Sequence, residues 1–544
     1  MKTSFGLCNR IAGTGTAALA ALALLAVAPR TEAAYVKTDC LWRCDFTPEE
    51  AVRYKVFDKL ETSREGTAEI IPGGGETGDG AIWFRGPARV FFPPDVEIKG
   101  RVQLEVRVMG LNVQRLPDAK SFCGPTICIP YTIRDKEGKP KKIWTGTAQT
   151  FGSFAWTTWL KVTDVPAEAE DLYFQLGLEE TTGELWIDSV SVWRVEEVPD
   201  ENIEAPFNAE AAALPRGRFA GHPNPDARRG VSFTLSKKPG KPREAIDDSG
   251  EYDMAKLESW GANMVRVWVQ PKGWKTEEEY FEKLGPCADY AQRMLDAASR
   301  HGIQVAVALG TCPGWTNTRE QSLAATKDFQ SEMLAKVWAI LAARFVGHPA
   351  LYGYDILNEP GMRPADWNRV FEDAVAAIRK VDPATPVITE SLSRYWPQEM
   401  NVIYSIHPYQ PHDLTHQAIG GRNTIAWSYP GYINGVYWDK EQMRLARKQV
   451  IEFQQAHPDA RIFVGEFSCI LWAKGAEKWI ADSIDLFEEY GWDWCYHAYS
   501  EWPPWDVEYT HDEAYTPGKF VKATEDTDRK KALLRGFSRN RMGR

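Results

Sequence analysis

Two carboxylates stand where apolar runs end. Leu351-Tyr352-Gly353-Tyr354-Asp355-Ile356-Leu357 closes on Asn358-Glu359-Pro360, and 107 positions later (466 minus 359) Arg461-Ile462-Phe463-Val464-Gly465 closes on Glu466. Runs this apolar suit strands buried on both faces, as in parallel sheets, so each Glu marks the point where the chain leaves a core. In a barrel of parallel strands that rim is where active sites are built. Paired rim carboxylates fit cleavage of a glycosidic bond, in which one acid protonates the departing oxygen while the other carboxylate attacks the anomeric carbon or activates water.

Such a pair needs a frame that brings the two strand ends together. From residue 230 onward, helix-like stretches alternate with apolar strands, the pattern of repeated βα units. Eight strands are predicted, at 230–235, 263–269, 304–309, 351–357, 386–389, 402–406, 461–465 and 493–498. Among the intervening stretches, 329–345 carries Met333, Val337, Ile340, Leu341 and Phe345 at helical spacing, which makes one apolar face. Eight units over this length predict an α/β (β/α)8 TIM barrel, assigned to 229–544. Strands four and seven then lie on roughly opposite sides of the mouth. A gap of roughly 5 Å between their carboxylates would mean retention through a covalent intermediate.

The preceding region differs. Residues 35–197 alternate with period two between Gly, Pro and Asp turns, as in Gly100-Arg101-Val102-Gln103-Leu104-Glu105-Val106-Arg107-Val108, and show no convincing helix. They predict an all-β jelly-roll sandwich. The acidic, Pro- and Ala-rich stretch 198–228 has little periodicity and reads as a connector that need not be flexible. The chain is therefore expected to be multidomain. Residues 1–34 carry Lys2 and Arg10, an Ala/Leu-rich run and Thr31-Glu32-Ala33-Ala34, the layout of a signal peptide, so a secreted or periplasmic protein without stable membrane insertion is expected.

The net charge of −11 over 544 residues argues against a nucleic-acid partner and leaves neutral carbohydrate open. Eight cysteines lie beyond the signal segment, an even number that permits disulfides in an exported chain, with Cys123 and Cys128 bracketing a Gly-Pro turn and Cys469 and Cys495 near neighbouring barrel strands. Connectivity stays open. Cys40 and Cys44 lack a matching second pair or His cluster, so no metal site is predicted.

Several motifs together carry a family resemblance. Asp355-Ile356-Leu357-Asn358-Glu359-Pro360, Val464-Gly465-Glu466-Phe467, Ile406-His407-Pro408-Tyr409 and Arg266 within Asn263-Met264-Val265-Arg266-Val267-Trp268 follow one another in an order that resembles glycoside hydrolase family 5, the cellulase-like retaining barrel glycosidases. The resemblance implies Glu359 as acid/base and Glu466 as nucleophile. Glu466 must then stay ionised, which Arg266 and the Tyr409 hydroxyl would favour, while Glu359 must hold a proton near neutrality. It also implies Asn358 as a hydrogen-bond partner of the sugar 2-hydroxyl, and His407 as a residue that positions the others or touches sugar. No cofactor is required.

The match has gaps. After strand three, Gly310 stands where the family commonly carries His, and at strand eight His497 occupies the expected offset of the family's Trp, with Trp502 nearby and preferred here. Trp315 and Trp502 stand among the rim aromatics as candidate sugar platforms. The insertion after Tyr409, about 410–440, is expected to wall off one end of the cleft and to favour chain-end or short substrates.

The sandwich resembles carbohydrate-binding modules in Gly183-Glu184-Leu185-Trp186-Ile187-Asp188, where Asp188 is a candidate ligand for a structural calcium. It is either a sugar-binding module or a structural domain packed on the barrel. The combined expectation is a monomeric retaining hydrolase of β-linked glucan or mannan, as polysaccharide or oligosaccharide. The rivals are an exo-acting β-glycosidase or transglycosylase with the same carboxylates, and a carbohydrate-binding protein whose barrel has lost catalysis.

Overall fold

The computed structural model describes residues 33–116, 119, 123–135, 137–147, 151–199, 207–238, 245–313, 315–316, 331–360, 364–419 and 425–540. Residues 1–32, most of the segment expected to be a signal peptide, lie outside them. Among the described residues no helix is long and apolar enough to cross a membrane.

Two antiparallel sheets form the N-terminal part. One runs Gly152–Val165, Gly100–Arg115, Thr181–Pro199, Gly80–Arg85, Thr67–Pro72, with Ala33–Cys44 also paired to Thr181–Pro199; the other runs Leu60–Thr62, Ala88–Phe92, Phe174–Leu178, Pro125–Cys128. Period-two alternation decides which residues go inward. Val102, Leu104, Val106 and Val108 are fully buried, and they share one apolar core with Phe174, Leu176 and Leu178 of the second sheet. Trp42 stacks on Phe174 at 4.2 Å within this core. The result is the expected sandwich, with one addition: Pro48–Arg53 is a short helix. Thr47 and Glu50 close a capping box at its start, which offsets the low helix content of its surroundings.

Asp188 sits in this sandwich as a buried carboxylate whose Oδ1 accepts from Glu76 N (2.8 Å), Thr77 N (3.0 Å) and Thr77 Oγ1 (3.1 Å). Its visible work is to hold a turn. The cysteines also depart from the expectation of disulfides, because Cys40, Cys44, Cys128, Cys287, Cys312, Cys469 and Cys495 are free thiols. Packing separates the two cysteines that stand near neighbouring barrel strands: Cys495 lies in an apolar cluster with Met264, Tyr352, Ile388 and Phe463, whereas Cys469 belongs to a different one.

The eight predicted barrel strands form a closed parallel barrel: Arg229–Phe233, Met264–Val269, Gln304–Leu309, Leu351–Asp355, Val387–Thr389, Val402–Ile406, Arg461–Val464 and Asp493–Tyr499. Gly230 lets the first two strands approach, since a Cβ there would collide with the Met264 carbonyl. At the opposite end from the carboxylates, Arg229 makes a buried bidentate pair with Glu488 at 2.7 and 2.6 Å, bolting the first strand to the helix Ala476–Tyr490. The described part of the connector packs on the same region, with Tyr490 OH donating to the Pro215 carbonyl at 2.8 Å and Asn208 Nδ2 to Gln442 Oε1 at 2.7 Å.

Sandwich and barrel meet at the insertion after Tyr409. Lys161 pairs with Asp413 at 2.6 Å, Val162 N donates to Asn434 Oδ1 at 3.1 Å, and Tyr35 lies edge-on to Trp427 at 5.4 Å. The insertion includes the helix His412–Thr415 and the hairpin formed by Gly431–Ile433 and Val436–Trp438. Two strands of the sandwich, Ala33–Cys44 and Gly152–Val165, thus brace a segment that begins at the barrel rim.

Candidate active site

Arg266 organises the mouth of the barrel. It lies in register between Ser232 and Ala306, whose small side chains leave the interior open to a long one. Its guanidinium is fully buried and donates to three acceptors: Nε to Asp355 Oδ2 (2.7 Å), Nη1 to Glu466 Oε1 (2.8 Å) and Nη2 to Asn358 Oδ1 (2.9 Å). Burial opposes its charge, but Asp355, Glu466 and Glu390 outweigh that and push its pKa above the usual value. Removing one partner from such a buried array typically costs about 3–5 kcal/mol, so Arg266 sets the shape of the site as well as its charge.

Glu466 ends the seventh strand and is 6% exposed. Tyr409 OH donates to its Oε2 at 2.9 Å, and His497 Nδ1 stands 3.8 Å from the same oxygen. Burial alone would raise its pKa; His497, His407, Arg266 and the Tyr409 hydrogen bond reverse this and bring it down to about 2. The carboxylate is therefore ionised across the neutral range. Tyr409, raised well above its ordinary value by burial and then by Glu466, stays a donor.

Glu359 differs. It follows the fourth strand, its side chain is half exposed, and its backbone is left-handed at φ 45°, a strained conformation for a residue with a Cβ. His407 Nδ1 lies 3.0 Å from its Oε1. Single ligand-type atoms of Glu359, His407 and Glu466 all lie within 4.8 Å of one another, so a carboxylate oxygen of each Glu faces the same small space. Gly465 makes this possible, because a Cβ there would stand 2.8 Å from His407 Nε2.

The remaining expected residues divide. Asn358 is 3% exposed and turns its Oδ1 to Arg266, which leaves its Nδ2 as a donor on the other edge. Trp315 pairs with Cys312 through its backbone, and its side chain falls outside the described residues. Trp502 is 38% exposed and sits against Trp505 at 5.8 Å, one ring removed from Tyr409. His497, rather than Trp502, is the strand-eight residue beside Glu466.

Two residues near the site escaped the sequence reading. Glu390, directly after the fifth strand, accepts from Glu359 N at 2.9 Å and stands 3.5 Å from Arg266 Nη2 and 3.3 Å from His407 Nε2. Its signal was the one used for Glu359 and Glu466, a carboxylate at the end of an apolar strand. Gln270 packs over Gly310, where its Cγ would lie 2.8 Å from an added Cβ. It fills the place left by the missing strand-three side chain, and only the tertiary contact reveals it.

Residues 232–502 match the family model described as "Cellulase (glycosyl hydrolase family 5)". A β-xylosidase of Phanerodontia chrysosporium is 26% identical over 257 residues, which are 43% of this chain and 50% of that protein, so the chain spans about half the length of that curated relative. Among solved structures, a glycoside hydrolase superposes with a TM-score of 0.46 at 22% identity, covering 57% of this chain and 99% of the other. Endoglucanase Cel5A of Thermotoga maritima gives 0.42 at 19%, covering 57% and 96%. With the family model running from the first barrel strand to the segment after the last, the chain belongs to glycoside hydrolase family 5 through its barrel.

Proposed function

We propose that this protein is a retaining β-glycoside hydrolase that cleaves β-linked glucan or mannan by double displacement at Glu359 and Glu466. The observation that carries the reading is the approach of the two carboxylates within 4.8 Å, one of them held ionised. Carboxylates about 5–5.5 Å apart leave no room for an intervening water, so the second attacks the sugar directly. In the first step Glu466 bonds to the anomeric carbon as the glycosidic C–O bond breaks, and Glu359 gives its proton to the leaving oxygen. In the second, the Glu359 carboxylate takes a proton from water, whose oxygen displaces Glu466. The Asn358 amide is positioned as a donor to the sugar 2-hydroxyl, a contact that strengthens in the oxocarbenium-like transition state.

An exo-acting β-glycosidase or transglycosylase would use the same groups. The braced insertion beside Tyr409 favours short or chain-end substrates, as does the similarity to a β-xylosidase. Export through residues 1–34 is part of the proposal. The test is proton NMR of the first product released from a panel of β-glucans, mannans, xylans and short β-oligosaccharides. The β-anomer appears before mutarotation if the mechanism holds. An α-anomer first would contradict it, and the substrates cleaved separate the readings.

A further inference from the structure

Glu390 has no part in the two-carboxylate scheme, yet it is built into the site. Its side chain is 9% exposed, its Oε2 accepts from Glu359 N at 2.9 Å, and its Oε1 lies 3.3 Å from His407 Nε2. His407 in turn presents Nδ1 to Glu359 Oε1 at 3.0 Å, while among the described residues His407 Nε2 and Glu390 Oε1 make no well-aligned hydrogen bond, either to each other across their 3.3 Å or to any other group. Glu390, His407 and Glu359 thus form a carboxylate–imidazole–carboxylate row ending on the proposed acid.

We propose that Glu390 is a positioning residue for the acid/base: by engaging the far nitrogen of His407, it lets Glu359 keep the proton that bond cleavage consumes. The inference rests on the reading of Glu359 as acid/base. An imidazole alone beside a carboxyl group takes its proton, because ordinary His and Glu values differ by about two units, a preference of roughly a hundredfold. Glu359 would then be ionised and paired with imidazolium, and no acid would remain.

A second carboxylate on the far side changes the proton count. Two protons can then reside in the row at neutral pH, shared among Glu390, His407 and Glu359. Arg266 from the second strand, Asp355 and Glu359 from the fourth and His407 from the sixth all face Glu390. Burial, with Asp355 and Glu359, lifts Glu390 to about 8 against the pull of His407 and Arg266. Burial lowers His407, but Glu390, Glu466 and Glu359 raise it to about 9. When Glu359 gives up its proton in the first step, the proton left on His407 Nδ1 faces the new carboxylate. Water then returns a proton to Glu359 in the second step, so the row is restored each cycle.

The test is Glu390→Gln, which keeps the size and the acceptor for Glu359 N but cannot hold the extra proton. On an unactivated β-oligosaccharide the alkaline limb of kcat/KM is expected to move down by about two units, the ordinary gap between imidazole and carboxyl. On a dinitrophenyl β-glycoside, whose departure needs no acid, kcat/KM should change by no more than about threefold. An unmoved limb with equal losses on both substrates would mark a merely structural role and overturn the proposal. If thermal melting shows the variant unfolded, the limb of the unsubstituted enzyme decides: near pH 8 supports the row, and below about pH 6 overturns it. A protein that cleaves no β-glycoside, or one indifferent to loss of Glu359, would instead sink the acid/base reading.

Discussion

Glu466→Gln is expected to lower kcat by roughly four orders of magnitude or more, on every substrate and whatever its leaving group. The amide has the size of the carboxylate but cannot bond to the anomeric carbon, so neither an activated leaving group nor a higher pH compensates. The fold should survive. Arg266 keeps Asp355, Asn358 and Glu390 as partners, and the Tyr409 hydroxyl can still donate to an amide oxygen. Steady-state kinetics on a polysaccharide and on an aryl glycoside, with thermal melting of both proteins, check this. Activity within tenfold of the unsubstituted enzyme on either substrate would remove Glu466 from the reaction.

Loss of Glu359 should behave differently. Glu359→Ala is expected to reduce the rate on polysaccharide by about 10^2 to 10^4, the usual worth of general acid/base assistance. A dinitrophenyl glycoside still forms the glycosyl-enzyme, because its leaving group departs without a proton, but water then attacks slowly without its base. The intermediate accumulates and KM falls with kcat. Azide, which needs no deprotonation, should restore turnover and yield a β-glycosyl azide. Equal losses on both substrates with no azide effect would reassign the residue. Since Glu359 is held at φ 45°, Glu359→Gly should show the same kinetics in a backbone relieved of about 1 kcal/mol of strain.

The parts of this site that were legible in the sequence are those where polarity changes abruptly along the chain. Each barrel strand is an apolar run with a sharp end, and Glu359 and Glu466 stand out against Leu357 and Val464. Arg266 was legible for the same reason, a charge inside Met264–Val269. Glu390 carries the same signal, but its strand, Val387–Thr389, is three residues long, and a run that short gives little contrast. Gln270 was invisible because its place depends on a missing side chain one strand away. At strand eight, sequence reasoning favoured an aromatic ring, Trp502, where burial and distance bring an imidazole, His497, to Glu466.

The sandwich shows the converse. Alternation over 100–108 predicted its core, whereas the capping box at Thr47 and Glu50 announced a helix that composition hid. Cysteine parity suggested cross-links, but parity carries no distance, and Cys469 and Cys495 pack in separate apolar clusters. The insertion after Tyr409 was read as a wall of the cleft; its ties to Lys161, Val162 and Tyr35 come from residues about 250 to 390 positions away and could not be read locally.

The most direct test of the central claim is to trap the intermediate. The protein is incubated with 2,4-dinitrophenyl 2-deoxy-2-fluoro-β-glycosides of glucose, mannose and xylose, whose fluorine slows the second step more than the first, and the labelled peptide is identified by mass spectrometry. The account predicts time-dependent inactivation by at least one of the three, with a single fluoroglycosyl group esterified to Glu466. A label on any other carboxylate, or rapid cleavage of ordinary β-glycosides with the α-product formed first, would contradict it.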